Sequence, residues 1–257
     1  MRVKIIDTEV DATSYAQACD RFEQWIAEGQ SSFVVAANVH VLMTAHWQKS
    51  YQATLAQASL ITADGMPLVW AMNLLGIKGQ KRVYGPDLML ASCDRASQKG
   101  YGIYLYGSTD QTLEILAERL KQQFPQLIIS GKYAPAKFGI KDHLPDFPDL
   151  TTDLERINQS GAQIIFIGLG CPKQEYWMAA AKGRLNGIAI GVGAAFDFHS
   201  GRVSQAPRWI MAIGLEWLYR LSQEPQRLWQ RYLIQNPIFI ILFMQQLISQ
   251  KLFSSLR

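Results

Sequence analysis

The sequence predicts an α/β fold, a doubly wound and mostly parallel sheet followed by a C-terminal helical appendage. Three observations carry this expectation. Short apolar runs alternate with segments of helical periodicity along most of the chain, as in successive βαβ units. Runs such as Ile164-Ile165-Phe166-Ile167 lack the polar alternation of a half-exposed strand, which fits strands buried on both faces of a parallel sheet. From about Ala206 the pattern changes to helices only.

In chain order, Thr13 to Ala27 shows helical periodicity and Gly29 follows as a stop signal. Phe33 to Ala37 reads as a strand, after which Asn38 caps a helix running towards Trp47. Leu60 to Thr62 is a short strand ended by Ala63-Asp64-Gly65, with another helix from about Pro67. Lys81 to Asp87 reads as a turn and a helix start. Gly102 to Tyr106 is a strand leading through Gly107-Ser108-Thr109-Asp110 into a helix to about Phe124. Leu127 to Ser130 is a further strand, and Gly131 to about Pro148 is expected to be a long loop. The Ile164 strand, a helix opened by Pro172, and an Ile188 to Val192 strand complete the core. Ligands of such sheets bind at the carboxyl ends of the strands. Asn38, Asp64, Gly107, Gly170 and Asp197 fall there in this reading.

The chain of 257 residues, 49% apolar, can bury one large core, with a division near residues 1–199 and 200–257. The net charge of +4 is unevenly spread. Residues 200–257 hold seven basic side chains against Glu216 and Glu224, so the core is close to neutral. This argues against a nucleic-acid protein with a broad basic face and for a localised anionic partner. Met1 to Asp11 lacks a signal-peptide apolar core, and secretion is not expected. Cys19, Cys93 and Cys171 are widely spaced, which fits reduced thiols rather than structural zinc.

Gly168-Leu169-Gly170-Cys171-Pro172-Lys173-Gln174-Glu175 is the most informative stretch. A buried strand breaks at two glycines, and Pro172 suits the first position of the next helix. Free N–H groups and the positive end of the helix dipole form an anion site, to which Lys173 and Gln174 would add a charge and an amide donor. No GxxxxGK[ST], HExxH or Asp-x-Asp occurs, and Gly191-Val192-Gly193-Ala194-Ala195-Phe196 is an incomplete dinucleotide fingerprint. No metal site is expected, so a diphosphate would be neutralised by protein donors. Asp64 is the candidate general base, a strand-end carboxylate beside Gly65; the plain alternative is a helix cap. Asn38 carries the same ambiguity. Arg82 is a phosphate fork or the ion-pair partner of Asp87. Asp197 binds a ribose or uracil, or satisfies backbone amides. Arg220, Arg227 and Arg231 are interleaved with Trp217, Tyr219, Trp229 and Tyr232, which suits an anionic membrane surface, the alternative being a solvated helix face. The apolar run Ile238 to Met244 is shorter than the roughly 20 residues a bilayer requires, so an interfacial helix is expected rather than a span.

Several of these blocks, in order, resemble the WecG/TagA/CpsF family of bacterial glycosyltransferases over nearly the whole length. They are Ala36-Ala37-Asn38, Ala63-Asp64-Gly65, Arg82 to Asp87, Gly168 to Glu175, Gly191 to Asp197, Gly214 to Arg220 and Gln223-Glu224-Pro225. The resemblance implies a Rossmann-like core with an appendage that completes the site and touches the membrane. It also implies cofactor-free, metal-independent, inverting transfer from a UDP-sugar to a polyprenyl-diphosphate-linked sugar on the cytoplasmic membrane face. Donors of this kind are UDP-N-acetylmannosamine or its uronic acid, and the acceptor is undecaprenyl-diphosphate-linked N-acetylglucosamine. By the same resemblance Asp64 matches a general base, Arg82 a catalytic arginine and Gln174 a residue near the donor phosphates. Ala36 departs from the family, which often has threonine there. Homo-oligomer formation is compatible with the sequence. A dinucleotide-dependent oxidoreductase and a non-catalytic membrane adaptor are the competing readings.

Overall fold

The structure, a computed structural model, describes residues 1–136, 138–141, 144–145 and 149–255. An N-terminal hairpin pairs β1 (Arg2–Ile5) with β2 (Thr8–Asp11). The chain then alternates through α1 (Tyr15–Ala27), β3 (Ser32–Ala37), α2 (Val39–Trp47), α3 (Lys49–Leu55), β4 (Leu60–Ala63), α4 (Met66–Leu74) and α5 (Gly85–Lys99). It continues with β5 (Gly102–Gly107), α6 (Asp110–Gln123), β6 (Ile128–Tyr133), the two-residue strands β7 (Ile140–Lys141) and β8 (Leu144–Pro145), and α7 (Thr151–Gln159). β9 (Ile164–Gly168), α8 (Lys173–Ala181), β10 (Ile188–Gly191) and α9 (Ala195–His199) close the core. The appendage holds α10 (Arg208–Ala212) and α11 (Glu216–Gln223). After it, α12 (Pro225–Trp229) passes through a π-helical turn (Gln230–Gln235) into α13 (Asn236–Ser255).

The six-stranded sheet has the order β4-β3-β10-β9-β5-β6, and each neighbouring pair is parallel. The predicted doubly wound fold is therefore present. Burial of both sheet faces explains the unbroken apolar runs. Phe33, Val35, Ile165 and Ile167 join a core with α2, α3, α4, α7 and α8 on one face. Val34, Ile164, Phe166 and Ile190 join α1, α5, α6 and α9 on the other. Successive residues of one strand thus enter opposite cores, as the pleat requires.

The late strands β9 and β10 insert between β3 and β5. Register then aligns four strand ends: Ala37 opposes Ala63, and Gly191 opposes both Val35 and Ile167. The residues that follow these ends, Asn38, Asp64, Gly170 and the Val192–Ala194 turn, consequently line one crevice. Gly107 ends its strand in the same direction but packs on Gly168, where an added Cβ would lie 2.7 Å from backbone carbon. It serves the sheet rather than the crevice lining.

The stretch expected to be a long loop differs in part. β6 extends to Tyr133 along β5, and β7 and β8 form a small antiparallel ladder. The rest of Gly131–Pro148 falls partly outside the described residues. The C-terminal expectation also changes. The apolar run Ile238 to Met244 belongs to a continuous helix, Pro225–Gln250, of 26 residues, in which an 18-residue stretch has mean hydropathy 1.3. By length and composition this helix is sufficient to cross a membrane, so shortness does not exclude a span. Its contacts show how it is placed here. Phe239 and Phe243 are buried in the core, and the Gln246 side chain accepts from Ile6 N (2.7 Å) and donates to Lys4 O (2.8 Å).

Candidate active site

Two adjoining pockets meet at Asp64. The first, of about 930 Å³, is lined by the glycine turns Gly168–Gly170 and Gly191–Gly193, with Gln174, Asp197, Arg220, Arg227 and Arg231. The second, of about 620 Å³, is lined by Met66, Pro67, Arg82, Met211, Glu216, Trp217 and Tyr232. Asn38, Asp64, Tyr84, Arg220 and Arg231 belong to both.

Asp64 is buried at the end of β4. It does not cap the helix that follows it, since Gly65 is the N-cap of α4 and no side chain caps it. Instead its Oδ1 accepts from Gly85 N at 2.6 Å, taking a free N–H at the start of α5. A Cβ on Gly85 would crowd Ala36 Cβ at 3.3 Å while meeting Asp64 Oδ1 at an ordinary contact distance of 3.5 Å. Burial pushes the Asp64 carboxyl above the usual range, while the Arg82 charge, the Gly85 N–H and Asn38 oppose that shift. Asn38 takes the cap role. Its Oδ1 caps α2 through His40 N and Val41 N, and also accepts from Arg231 Nη2 at 3.1 Å.

Arg82 does not pair with Asp87, which instead holds Arg208 at 2.7 Å. Arg82 Nε donates to the Asp64 carbonyl, Nη2 forms an ion pair with Glu216 at 2.7 Å, and the guanidinium lies 3.9 Å over the Tyr84 ring. It lines the aromatic pocket and not the glycine pocket. As a phosphate fork, Arg82 would therefore act in a different half of the crevice from the glycine turn before the Pro172 helix.

Gln174 is buried and held at both ends. Its Oε1 accepts from Gly193 N (3.1 Å) and its Nε2 donates to Glu175 Oε1 (2.8 Å), which ties the two glycine turns together. Gly170 has φ +77°, a left-handed conformation that a side chain would strain. Lys173 is a correction. Its ammonium reaches the Phe138 carbonyl and lies 5.2 Å from that ring, so it does not line the crevice. The cationic charge there comes from the appendage. Arg231 reaches Asn38, Arg220 stands 5.4 Å from the Phe198 ring, and Arg227 pairs with Glu224 while lining the glycine pocket. Asp197 lines the same pocket beside Arg202, at 3.7 Å.

Glu216, Tyr84, Glu175 and His40 were not singled out from the sequence. The Tyr84 hydroxyl donates to Glu216 Oε1 at 2.7 Å, across 132 residues of chain. His40 contacts Gln235 Oε1 through Nδ1 at 2.8 Å, and burial lowers its pKa to about 4, so it lines the aromatic pocket as neutral imidazole. Among the described residues, no group of three His, Cys, Asp or Glu side chains gathers to hold a metal ion.

This geometry agrees with the comparisons to known proteins. A family model described as "Glycosyl transferase WecG/TagA/CpsF family" matches residues 3–252. The N-acetylglucosaminyldiphosphoundecaprenol N-acetyl-beta-D-mannosaminyltransferase of Bacillus spizizenii is 30% identical over 210 residues, covering 81% of this chain and 77% of that protein. The protein of the same description from Bacillus subtilis is 26% identical over 212 residues, covering 82% and 78%. These matches displace the oxidoreductase and adaptor readings. With a base candidate at the junction of two pockets and a match from end to end, the chain belongs to the WecG/TagA/CpsF family and is a glycosyltransferase.

Proposed function

We propose that this glycosyltransferase moves N-acetylmannosamine from its UDP donor to polyprenyl-diphosphate-linked N-acetylglucosamine, in one displacement and without a metal ion. The names of the relatives support the sugar and the acceptor. The observation that carries the mechanism is the position of Asp64, among the described residues the one carboxylate common to both pockets.

In this reading the donor occupies the glycine pocket. Its diphosphate meets backbone N–H groups of the glycine turns and the guanidinium groups of Arg220, Arg227 and Arg231. Fixed donors of this kind stabilise charge as it develops, which usually supplies the largest part of catalysis. The acceptor enters through the aromatic pocket, with its sugar hydroxyl next to Asp64. The carboxylate takes the hydroxyl proton, the oxygen bonds to the anomeric carbon, and UDP departs from the opposite face. A single displacement inverts that carbon, so an α-linked donor gives the β product named for the relatives.

The acceptor is lipid-linked, and the surface around the aromatic pocket suits a peripheral position on the cytoplasmic face of an anionic membrane. Trp209 (67% exposed) and Ile213 of the appendage continue into Trp70 and Leu74 of α4. The two parts touch at Gly214, where a Cβ would stand 2.8 Å from the Trp70 ring. On α13, Ile240, Ile241, Met244 and Ile248 face outward while the opposite side is docked on the protein. A helix fixed along one side presents a single apolar stripe, the arrangement of an interfacial element rather than a span.

The test is to incubate the purified chain with UDP-N-acetylmannosamine and N-acetylglucosaminyl-diphosphoundecaprenol in EDTA. A β-linked disaccharide lipid, seen by mass spectrometry and NMR, is the expected product. Retained anomeric configuration or complete dependence on added Mg²⁺ would contradict the mechanism.

A further inference from the structure

We propose that Glu216 is a positioning residue for Arg82, through which the appendage sets the geometry of the catalytic crevice. The inference rests on the reading of Asp64 and Arg82 given above.

Arg82 is a long side chain that would sample many rotamers if free, and ordering it costs conformational entropy. Three contacts confine it: the Asp64 carbonyl at Nε, Glu216 Oε2 at Nη2, and the face of Tyr84. Two of these come from the core and follow from short sequence separations. The third crosses from α11 and brings the only countercharge within ion-pairing distance of Arg82 among the described residues. Glu216 is itself 8% exposed, and a buried carboxylate persists as an anion only when paired and hydrogen-bonded. Its Oε1 accepts from the Tyr84 hydroxyl, and its Oε2 is buried in the ion pair with Arg82 Nη2, each at 2.7 Å, the second being a charge contact without hydrogen-bond alignment. The Tyr84 backbone N–H is fixed in turn by the Tyr15 hydroxyl at 3.0 Å.

The arrangement is therefore a clamp with a core half and an appendage half, and it closes only when α11 is docked. The same helix carries Arg220 one turn later, which lines both pockets. Docking α11 thus orients a guanidinium beside Asp64 and delivers another to the crevice. Glu216 neutralises Arg82 overall, so the pair contributes direction rather than net charge. Small displacements of such a group are costly, since a misplacement of about 1 Å can lower a rate about 100-fold.

The test is a double-mutant cycle in the full-length chain, with kcat and KM measured for UDP-N-acetylmannosamine and Kd measured for UDP by calorimetry. Glu216→Gln keeps an acceptor for Tyr84 but loses the ion pair. It is expected to lower kcat about 10- to 100-fold and leave the Kd for UDP within about threefold. Glu216→Asp, which keeps the charge on a shorter arm, should recover part of kcat. In an Arg82→Gln background, adding Glu216→Gln should cost less than about twofold, because the residue acts through Arg82. Wild-type kcat in Glu216→Gln would overturn the inference. So would a loss in the Arg82→Gln background as large as in the parent, which would assign Glu216 to docking alone. Wild-type turnover in Arg82→Gln would instead refute the catalytic role that the family resemblance implies for Arg82.

Discussion

Asp64 carries two opposed demands in one carboxyl group. As the proposed base it must be ionised to accept a proton, yet burial raises its pKa and Glu216 adds to the rise, while Arg82 and the Gly85 N–H oppose it. The sign follows directly. A carboxyl whose pKa is raised takes up a proton at a higher pH than an ordinary aspartate, and the protonated form is inactive as a base. Activity is therefore expected to fall as pH drops, with the acid limb of kcat/KM lying above the ordinary aspartate value of about 3.9. A limb at or below that value would contradict the burial argument. Asp64, Asn38, Gly170 and Gln174 were legible in the sequence because a strand end, a glycine or a helix start marks each position locally. Lys173 was misplaced by the same logic, since a first-turn position does not fix where a long side chain turns. Glu216 and His40 had no local mark. Their partners Tyr84 and Gln235 lie 132 and 195 residues away, and only the tertiary fold brings them together.

At the level of elements, the crevice depends on close backbone approach. A Cβ on Gly168 would stand 2.5 Å from Phe196, a ring only 1% exposed and unable to yield. Gly170, two residues later, has open space around it but a positive φ. Gly168→Ala is expected to destabilise the chain by about 1–3 kcal/mol through overpacking. Gly170→Ala should cost about 1–2 kcal/mol from backbone strain alone. Urea unfolding checks both, and wild-type stability in either variant would refute the cause given for it. The sheet strands were readable because continuous apolar runs leave few alternatives. The hairpin of β1 and β2 was not, because Arg2, Lys4 and Glu9 alternate with apolar residues in strands too short to stand out. Nor was α7, although Leu150, Leu154 and Ile157 recur at helical spacing and all three are buried. Its polar turns and nine residues gave a weak signal.

For the molecule as a whole, the catalytic core and appendage form one working surface. The core supplies Asp64, the proposed base, and the glycine turns, while the appendage supplies Glu216, three arginines and most of the exposed apolar side chains. The concentration of positive charge after residue 200 was visible in composition. That α4 shares the apolar face was not, because Trp70 and Leu74 sit within a helix that otherwise reads as core. Replacing Trp70 and Leu74 with serine is expected to weaken sedimentation with anionic vesicles while leaving UDP affinity unchanged. Raising the salt concentration should weaken wild-type sedimentation further, as arginine attraction to lipid is screened. Unaltered sedimentation of the double variant would remove α4 from the membrane face.

The most direct measurement concerns the carboxylate shared by the two pockets. Asp64→Asn preserves shape but removes the base, so turnover of UDP-N-acetylmannosamine should fall by about 100- to 10,000-fold while the Kd for UDP stays nearly constant. Wild-type turnover in that variant, or an equal loss of UDP binding, would contradict the assignment of Asp64 as the group that takes the acceptor's proton.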